Sequence, residues 1–171
     1  KMGYAIAKMA VLRGAEVTLV SGPVAIQPFT GIKKVSVTTA QEMFDAVTTH
    51  SQDQDVIIMC SAVADYTPSH CSSQKMKKGD DDLNIPLSRT KDILQYLGDH
   101  KPKGQVLVGF SMATENLLEN SQAKLMKKHA DLICANSISS RDTGFGVDTN
   151  KVTLISQTEV KELPLCSKEE T

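Results

Sequence analysis

Apolar residues along the chain change repeatedly between helical spacing and short continuous runs. Recurrence every three or four residues predicts four helices: "YAIAKMAVL", "AQEMFDAVTTH", "TKDILQYLGDH" and "ENLLENSQAKLMKKHA". Continuous or β-branched apolar runs predict five strands between them: "AEVTLVS", "KKVSVTT", "DVIIMCSAV", "QVLVGFSM" and "DLICANSI". This alternation is typical of an α/β domain. We therefore expect a Rossmann-like, doubly wound and mostly parallel sheet with helices on both faces.

Local patterns add further structural predictions. Thr39, followed three residues later by Glu42, is a capping box for the second helix. The unalternating run that begins at Asp55 predicts a strand covered on both faces, as in parallel sheets. The segments "KVTLIS" and "EVKELPL" predict a C-terminal β-hairpin. The packed face of the last helix is expected to contain Leu117, Leu118, Leu125 and Met126.

Length and composition limit the function classes. The 171 residues, 40% hydrophobic and 23% charged, fit one globular domain over 1–171. A net charge of -1 argues against nucleic-acid or anionic-membrane partners, and no apolar run reaches the ~20 residues of a membrane span. The four cysteines lack metal-ligand spacing, so we expect no protein-held metal and a reducing cytoplasm. Because the chain is helical from Lys1 onward and does not begin with methionine, we expect a preceding segment to be missing.

Candidate chemistry lies where predicted strands end, which is where open α/β sheets bind ligands. In "SAVADY", Ser61, Ala62 and Val63 are small enough for a flat ligand to approach the backbone. Asp65 could accept a hydrogen bond from an amino group or a hydroxyl. On composition alone, a solvated loop aspartate is the simpler interpretation.

Lysines supply candidate partners for phosphate. Lys75 lies in an aperiodic segment, about 66–89, that we expect to be a flexible lid able to exclude water. Lys124 and Lys128 are four residues apart and therefore share one helix face. Two neighbouring cations are tolerated more easily with a polyphosphate between them. Solvated charged surfaces are the alternative for both groups.

Taken together and in order, seven segments resemble phosphopantothenoylcysteine synthetase, the second half of the bacterial bifunctional coenzyme A biosynthesis flavoprotein. They are "KMGYAIAKMAVLRGAEVTLVSGP", "AVADY", "KMKK", "KDIL", "VGF", "KLMKKHADLICAN" and "TGFGVDTNKVTLI". The resemblance implies a ligase that activates 4'-phosphopantothenate with CTP and Mg²⁺ and couples the acyl-cytidylate to L-cysteine, releasing CMP and pyrophosphate. It also implies a homodimer.

The resemblance assigns roles to individual residues. Lys75 corresponds to the catalytic lysine of the lid. The nucleotide-binding residues it implies are Ser61, Ala62, Val63, Asp65, Lys75, Asp92, Ile93, Leu94, Phe110, Lys124 and Lys128, and the substrate-binding residues are Gly3 and Asn136. The chain departs from the family pattern at Lys91, where proline is usual, and at Ala113-Thr114, where a Glu-Thr pair is usual. In the family, an opening strand, a glycine-rich turn and a segment with a catalytic asparagine precede the first helix, and we expect all three to be missing before Lys1.

Two other functions remain open. A nicotinamide-dependent reductase shares this architecture, but it needs a G-x-G-x-x-G turn, which is not found in the sequence, and a catalytic Tyr/Lys pair. Tyr4 and Lys8 have the spacing of such a pair, but Lys8 lies within the first predicted helix, which is the wrong place for it. Preferential binding of NADPH over CTP would favour it. A catalytically inactive nucleotide-binding domain is also possible, because fold does not determine function. Nucleotide binding without turnover would favour that alternative.

Overall fold

Four helices and eleven strands make up the part of the chain described by the computed structural model, residues 1–76, 84–113, 116–137 and 147–171. The helices are α1 (Met2–Leu12), α2 (Ala40–Ser51), α3 (Ile93–His100) and α4 (Leu117–Lys127). The strands are β1 (Val17–Ser21), β2 (Ile32–Ser36), β3 (Val56–Met59), β4 (Tyr66–Pro68), β5 (Leu87–Arg89), β6 (Val106–Ala113), β7 (Leu132–Ser137), β8 (Thr149–Asn150), β9 (Val152–Ile155), β10 (Val160–Glu162) and β11 (Cys166–Ser167). Lys77, Lys78 and Thr114 of the sequence motifs lie outside the described residues. Among the helices described, none has the length and apolar character needed to cross a bilayer.

The central sheet has five strands in the order β10-β9-β7-β6-β3. β3 pairs parallel with β6 and β6 with β7, whereas β9 runs antiparallel to both β7 and β10. β1 and β2 form a separate parallel pair, and β4–β5 and β8–β11 are short antiparallel pairs. The predicted α/β class with a mostly parallel sheet is confirmed. The predicted C-terminal hairpin is β9–β10, in which Val160 lies opposite Ile155.

The main core lies between the central sheet and three helices. Its buried side chains include Met43 of α2, Leu97 of α3, Leu125 of α4, and Leu107, Ile133 and Ile155 of the sheet. A smaller cluster around Val108, Cys134 and Val152 covers the opposite face. α1 contributes no residue to the main core and contacts β1 and β2. α2, α3 and α4 thus share one face of the central sheet, whereas α1 packs on the separate β1–β2 pair.

The prediction that the strand after Asp55 is covered on both faces is wrong. Val56 is 51% exposed and Ile58 is 40% exposed. β3 is the last strand of the central sheet and pairs only with β6. Its other edge borders a cavity of about 1190 Å³, with β1 on the opposite side. A continuous apolar run therefore indicates a strand, but which neighbours cover it depends on distant parts of the chain.

The packed face of α4 also differs from the prediction. Leu125 is buried and Leu117 packs against the core, as expected. Leu118 and Met126 are 45% and 62% exposed, so their assignment to this face is wrong. The buried stripe instead continues through Ser121, which has no exposed surface. Positions four residues apart define this narrow stripe, and Leu118 and Met126 each lie one residue beyond it.

Local capping follows the prediction at α2. The Glu42 N–H donates to Thr39 Oγ1 at 3.1 Å, and the Thr39 N–H donates back to the Glu42 carboxylate at 3.1 Å. Both halves of the capping box are therefore present. The Thr38 N–H donates to the same carboxylate oxygen at 2.6 Å. These backbone hydrogen bonds hold the pKa of Glu42 below its ordinary value.

Candidate functional site

Two lysines of α4 face the carboxyl end of β6 and the start of α3. Lys124 Nζ donates to the backbone carbonyl of Phe110 at 2.6 Å, which ties the helix to β6. One turn later, Lys128 Nζ donates to Asp92 Oδ2 at 2.5 Å. The predicted shared face of Lys124 and Lys128 is thus directed at other candidate residues. A simple solvated lysine surface does not describe this arrangement.

Asp92 connects this lysine pair to α3. It is the N-cap of α3, where its Oδ1 accepts from the Gln95 N–H at 2.9 Å. Burial acts to raise the pKa of Asp92, but the hydrogen bonds from Lys128 and Gln95 and the charges of Lys128 and Lys124 lower it overall. Asp92 is therefore a carboxylate at neutral pH, and it holds Lys128 at the end of the sheet.

The pKa of Lys124 is shifted by burial and by the charges around it. Burial lowers its pKa below the ordinary lysine value, and the neighbouring charge of Lys128 adds to that effect. The charges of Asp92 and Asp65 act in the opposite direction. Asp65 thus contributes, after Asp92, to the negative charge that acts on Lys124. We refer to Asp65, Asp92, Lys124 and Lys128 as the lysine–aspartate cluster. A bound phosphate would favour the charged form of Lys124, which burial disfavours.

The segment Ser61–Asp65 leaves β3 without regular secondary structure. Ser61, Ala62 and Asp65 are exposed, and Val63 packs against the core. The segment is linked to the approach to α3, since the Thr90 N–H donates to the Asp65 carbonyl at 2.9 Å. This brings the exposed backbone of the segment to Thr90, two residues before the cluster residue Asp92. It is the arrangement expected from the small residues of the motif.

The other predicted nucleotide-binding residues differ in how accessible their side chains are. Phe110 is half-buried against the smaller core cluster, and its carbonyl is the acceptor for Lys124. Ile93 and Leu94 are 4% and 9% exposed and belong to the main core. Their side chains are therefore largely inaccessible, so a ligand contact at these two residues would involve their backbone groups.

The two predicted substrate residues lie apart from the lysine pair. Gly3 is in the first turn of α1, and its backbone N–H hydrogen-bonds to the Cys60 thiol after β3. Asn136, on β7, is 8% exposed. Its Oδ1 accepts no hydrogen bond from any residue that the structure describes. A buried amide oxygen without a partner is costly, and a ligand donor would satisfy it.

Lys75 is exposed, and no contact recorded in the described ranges joins it to the cluster. Of the lid segment expected at about 66–89, the described portion contains the β4–β5 pair, in which Arg89 lies 5.6 Å from the centre of the Tyr66 ring. The flexibility of the lid and the role of Lys75 stay predictions. Lys91, which occupies the family's proline position, places its Nζ 4.4 Å from the centre of the Phe44 ring.

The thiols near the sheet end are poor nucleophiles. Burial raises the pKa of Cys60 to about 11 and that of Cys134 to about 12. Both side chains are therefore protonated at neutral pH. They therefore behave as small hydrophobic residues rather than as reactive groups.

Two contributors to the site were missed by the sequence analysis. Thr90 holds the Asp65 segment through its backbone and its hydroxyl. Gly98 allows α3 to approach the end of α4, where an added Cβ would lie 1.9 Å from the Lys128 carbonyl oxygen. A threonine before an Asp-Ile-Leu helix start was an available clue to the first. No sequence pattern indicated the second, because the contact joins residues thirty positions apart.

Comparison with known proteins assigns the domain. All of the chain, residues 1–171, matches the family described as DNA/pantothenate metabolism flavoprotein C-terminal domain. The chain belongs to this family. Its members include parts of two bacterial proteins named Coenzyme A biosynthesis bifunctional protein CoaBC, from Bacillus subtilis and Escherichia coli K12. Each is 43% identical, over 98% and 99% of this chain respectively and over 42% of its own length.

A solved structure in this family has the same fold. The crystal structure of the C-terminal domain of Coenzyme A biosynthesis bifunctional protein CoaBC superposes with a TM-score of 0.82 at 43% identity, covering 99% of this chain and 75% of that one. The chain thus spans 42% of the length of the two curated bifunctional relatives. The family and the fold are established by these similarities.

Proposed function

We propose that this domain is a phosphopantothenate–cysteine ligase of coenzyme A biosynthesis that uses CTP. The observation that carries the proposal is the lysine–aspartate cluster, formed by residues of three separate segments beside the exposed Ser61–Asp65 backbone. Family membership and the names of the bifunctional relatives support the choice of pathway.

The reaction consists of two transfers. In the first, the phosphopantothenate carboxylate attacks the α-phosphorus of CTP, a P–O bond breaks, and acyl-cytidylate and pyrophosphate form. In the second, the amine of L-cysteine attacks the acyl carbon. The C–N bond forms, the bond to CMP breaks, and the amine loses a proton. The protein's tasks are to position the reactants, neutralise phosphate charge and exclude water from the mixed anhydride.

The cluster residues divide these tasks. Lys124 and Lys128 bind the nucleotide phosphates, with Lys124 held by the Phe110 carbonyl and Lys128 by Asp92. Asp65 accepts hydrogen bonds from the nucleoside, which lies against the small residues Ser61 and Ala62. Lys75 closes over the reacting centre with the lid. Gly3 and Asn136 contribute to the binding of phosphopantothenate at the neighbouring strand ends.

We propose that Mg²⁺ binds together with the nucleotide. The part of the chain that the structure describes contains no group of three histidine, cysteine, aspartate or glutamate residues able to hold a metal ion. Mg²⁺ in nucleotide sites takes one or two carboxylates, and its other ligands are phosphate oxygens and water. The charge that Mg²⁺ supplies would add to that of the two lysines on the triphosphate.

A homodimer in the cytoplasm completes the proposal. The β4–β5 pair and its flank expose Tyr66, Ile85 and Leu87, which are 49%, 58% and 57% accessible. Apolar side chains grouped at one surface favour burial against another protein copy. Sedimentation or light scattering tests this part, and a monomer at working concentration would contradict it.

The test of the activity is release of CMP from CTP by the purified intact protein. We expect CMP release to require both 4'-phosphopantothenate and L-cysteine, and to be lost in Lys75→Ala. ATP in place of CTP tests nucleotide choice, and NADPH binding tests the reductase alternative. If CTP is bound but CMP is not released with both substrates present, the domain is a binding module and the ligase assignment is wrong.

A further inference from the structure

The Ser61–Asp65 segment connects β3 to β4 without regular secondary structure, so its position depends on the hydrogen bonds that reach it. Among the described residues, both hydrogen bonds that reach this segment come from Thr90. The Thr90 hydroxyl donates to the Ala64 carbonyl at 2.6 Å, and the Thr90 N–H donates to the Asp65 carbonyl at 2.9 Å. A single half-buried residue thus holds two successive carbonyls at the start of the proposed nucleotide site.

Thr90 lies in the short connection between β5 and α3. It directly follows β5, whose Arg89 pairs with Tyr66 immediately after Asp65. Two residues later, Asp92 caps α3 and binds Lys128. Thr90 therefore stands between the two acidic members of the lysine–aspartate cluster and is bonded to the backbone of one of them. Of its two hydrogen bonds to the segment, only the one from the hydroxyl to the Ala64 carbonyl is made by the side chain.

We propose that Thr90 is a positioning residue that fixes the backbone at Asp65 relative to the Asp92–Lys128 pair and so sets the affinity of the site for nucleotide. This inference rests on the proposed function. Thr90 acts through Asp65 and takes no part in either transfer. Loss of its hydroxyl leaves the backbone bond to Asp65 in place, so the segment should loosen without detaching from the protein.

The experiment compares three variants of the intact protein. Thr90→Val keeps the shape and removes the hydroxyl donor, whereas Thr90→Ser keeps the donor. Thr48→Val is the matched control, because Thr48 is also half-buried and its hydroxyl donates to a carbonyl, that of Phe44 at 2.9 Å within α2. For each variant, KM for CTP, kcat and the urea midpoint are measured.

We expect Thr90→Val to raise KM for CTP about fivefold, the equivalent of one net hydrogen bond, with kcat within about twofold of the parent. Thr90→Ser should restore KM, and Thr48→Val should leave it unchanged. A purely structural role predicts a lower urea midpoint with no change in KM. An unchanged KM in Thr90→Val, or an equal rise in Thr90→Ser, overturns the proposal.

A second measurement separates this inference from the proposed function. Amide hydrogen exchange at residue 90 reports the bond to the Asp65 carbonyl whether or not the protein turns over CTP. Exchange should be faster in Thr90→Val than in the parent, and Thr90→Ser should match the parent. Absence of CTP turnover in the parent refutes the ligase proposal alone, whereas unchanged exchange in Thr90→Val refutes the positioning role.

Discussion

At Gly98, the close approach of α3 to the Lys128 carbonyl at the end of α4 affects both the fold and the candidate site. A Cβ added there would lie 1.9 Å from the carbonyl oxygen and 2.9 Å from the carbonyl carbon of Lys128. Ordinary contacts between such atoms lie at about 3.5 Å. The end of α4 would have to move by roughly 1.5 Å to accept an alanine. Backbone atoms, unlike the far end of a side chain, cannot rotate away.

The expected cost of Gly98→Ala is the difference between two effects. Overpacking of this kind costs about 1–3 kcal/mol, and a backbone contact belongs at the upper end. Alanine within α3 recovers about 1 kcal/mol through helix propensity. We expect a net loss of about 1–2 kcal/mol in the free energy of unfolding. For a chain of this size, that lowers Tm by about 2–4 °C per kcal/mol.

Urea unfolding provides the assay, with Gly22→Ala as the control. No atom lies within 4 Å of a Cβ added at Gly22, so that variant should be unchanged or more stable by up to about 1 kcal/mol. Gly98→Ala should lower the midpoint at an unchanged m value. It should also weaken CTP binding, because displaced Lys128 loses its alignment with Asp92. Equal or greater stability of Gly98→Ala would refute the close approach of α3 to α4.

Three further predictions follow from local contacts. Thr39→Ala should lower the free energy of unfolding by about 1 kcal/mol through loss of the cap, with Thr38→Ala unchanged, as measured in urea. Asp92→Asn keeps the α3 cap but loses the ion pair with Lys128. The pKa of Asp92 is lowered in the folded protein. The ion pair therefore contributes its full stability above the ordinary carboxyl pKa of about 3.9, and this contribution is lost as the pH falls through the lower pKa of the folded state. Its stability deficit at pH 7 should therefore shrink in strong acid, and a deficit independent of pH would contradict this. At pH 8 a thiol reagent should modify exposed Cys71 well before Cys60, whose pKa is about 11. Mass spectrometry measures the rate of modification at each cysteine. Equal rates would show that the Cys60 thiol is accessible and reactive.

Features set by nearby residues could be predicted from the sequence. The capping box of α2 depends on Thr39 and Glu42 alone, so its residue types were sufficient. The closing hairpin depends on two adjacent segments and was also predicted correctly. The pairing of Lys124 and Lys128 follows from helix periodicity, but their acceptors at Phe110 and Asp92 do not. Those partners required either the structure or the family resemblance.

Features set by distant neighbours were not predictable in the same way. The exposure of Val56 and Ile58 results from the edge position of β3, which is decided by strand order rather than by composition. Leu118 and Met126 were misplaced because a wide apolar stripe was assumed where the contact with the sheet is narrow. Gly98 resembles an ordinary helical glycine until the end of α4 is placed against it.

The central claim is that the lysine–aspartate cluster binds the triphosphate of the nucleotide. Calorimetric titration of CTP into the intact protein tests it most directly, with Lys124→Met and Lys128→Met compared against Lys127→Met, an exposed lysine on the same helix. Loss of one charged hydrogen bond to phosphate predicts affinity weaker by about 10- to 100-fold in the first two variants and unchanged in the third. Equal CTP affinity in all three folded variants would contradict the account.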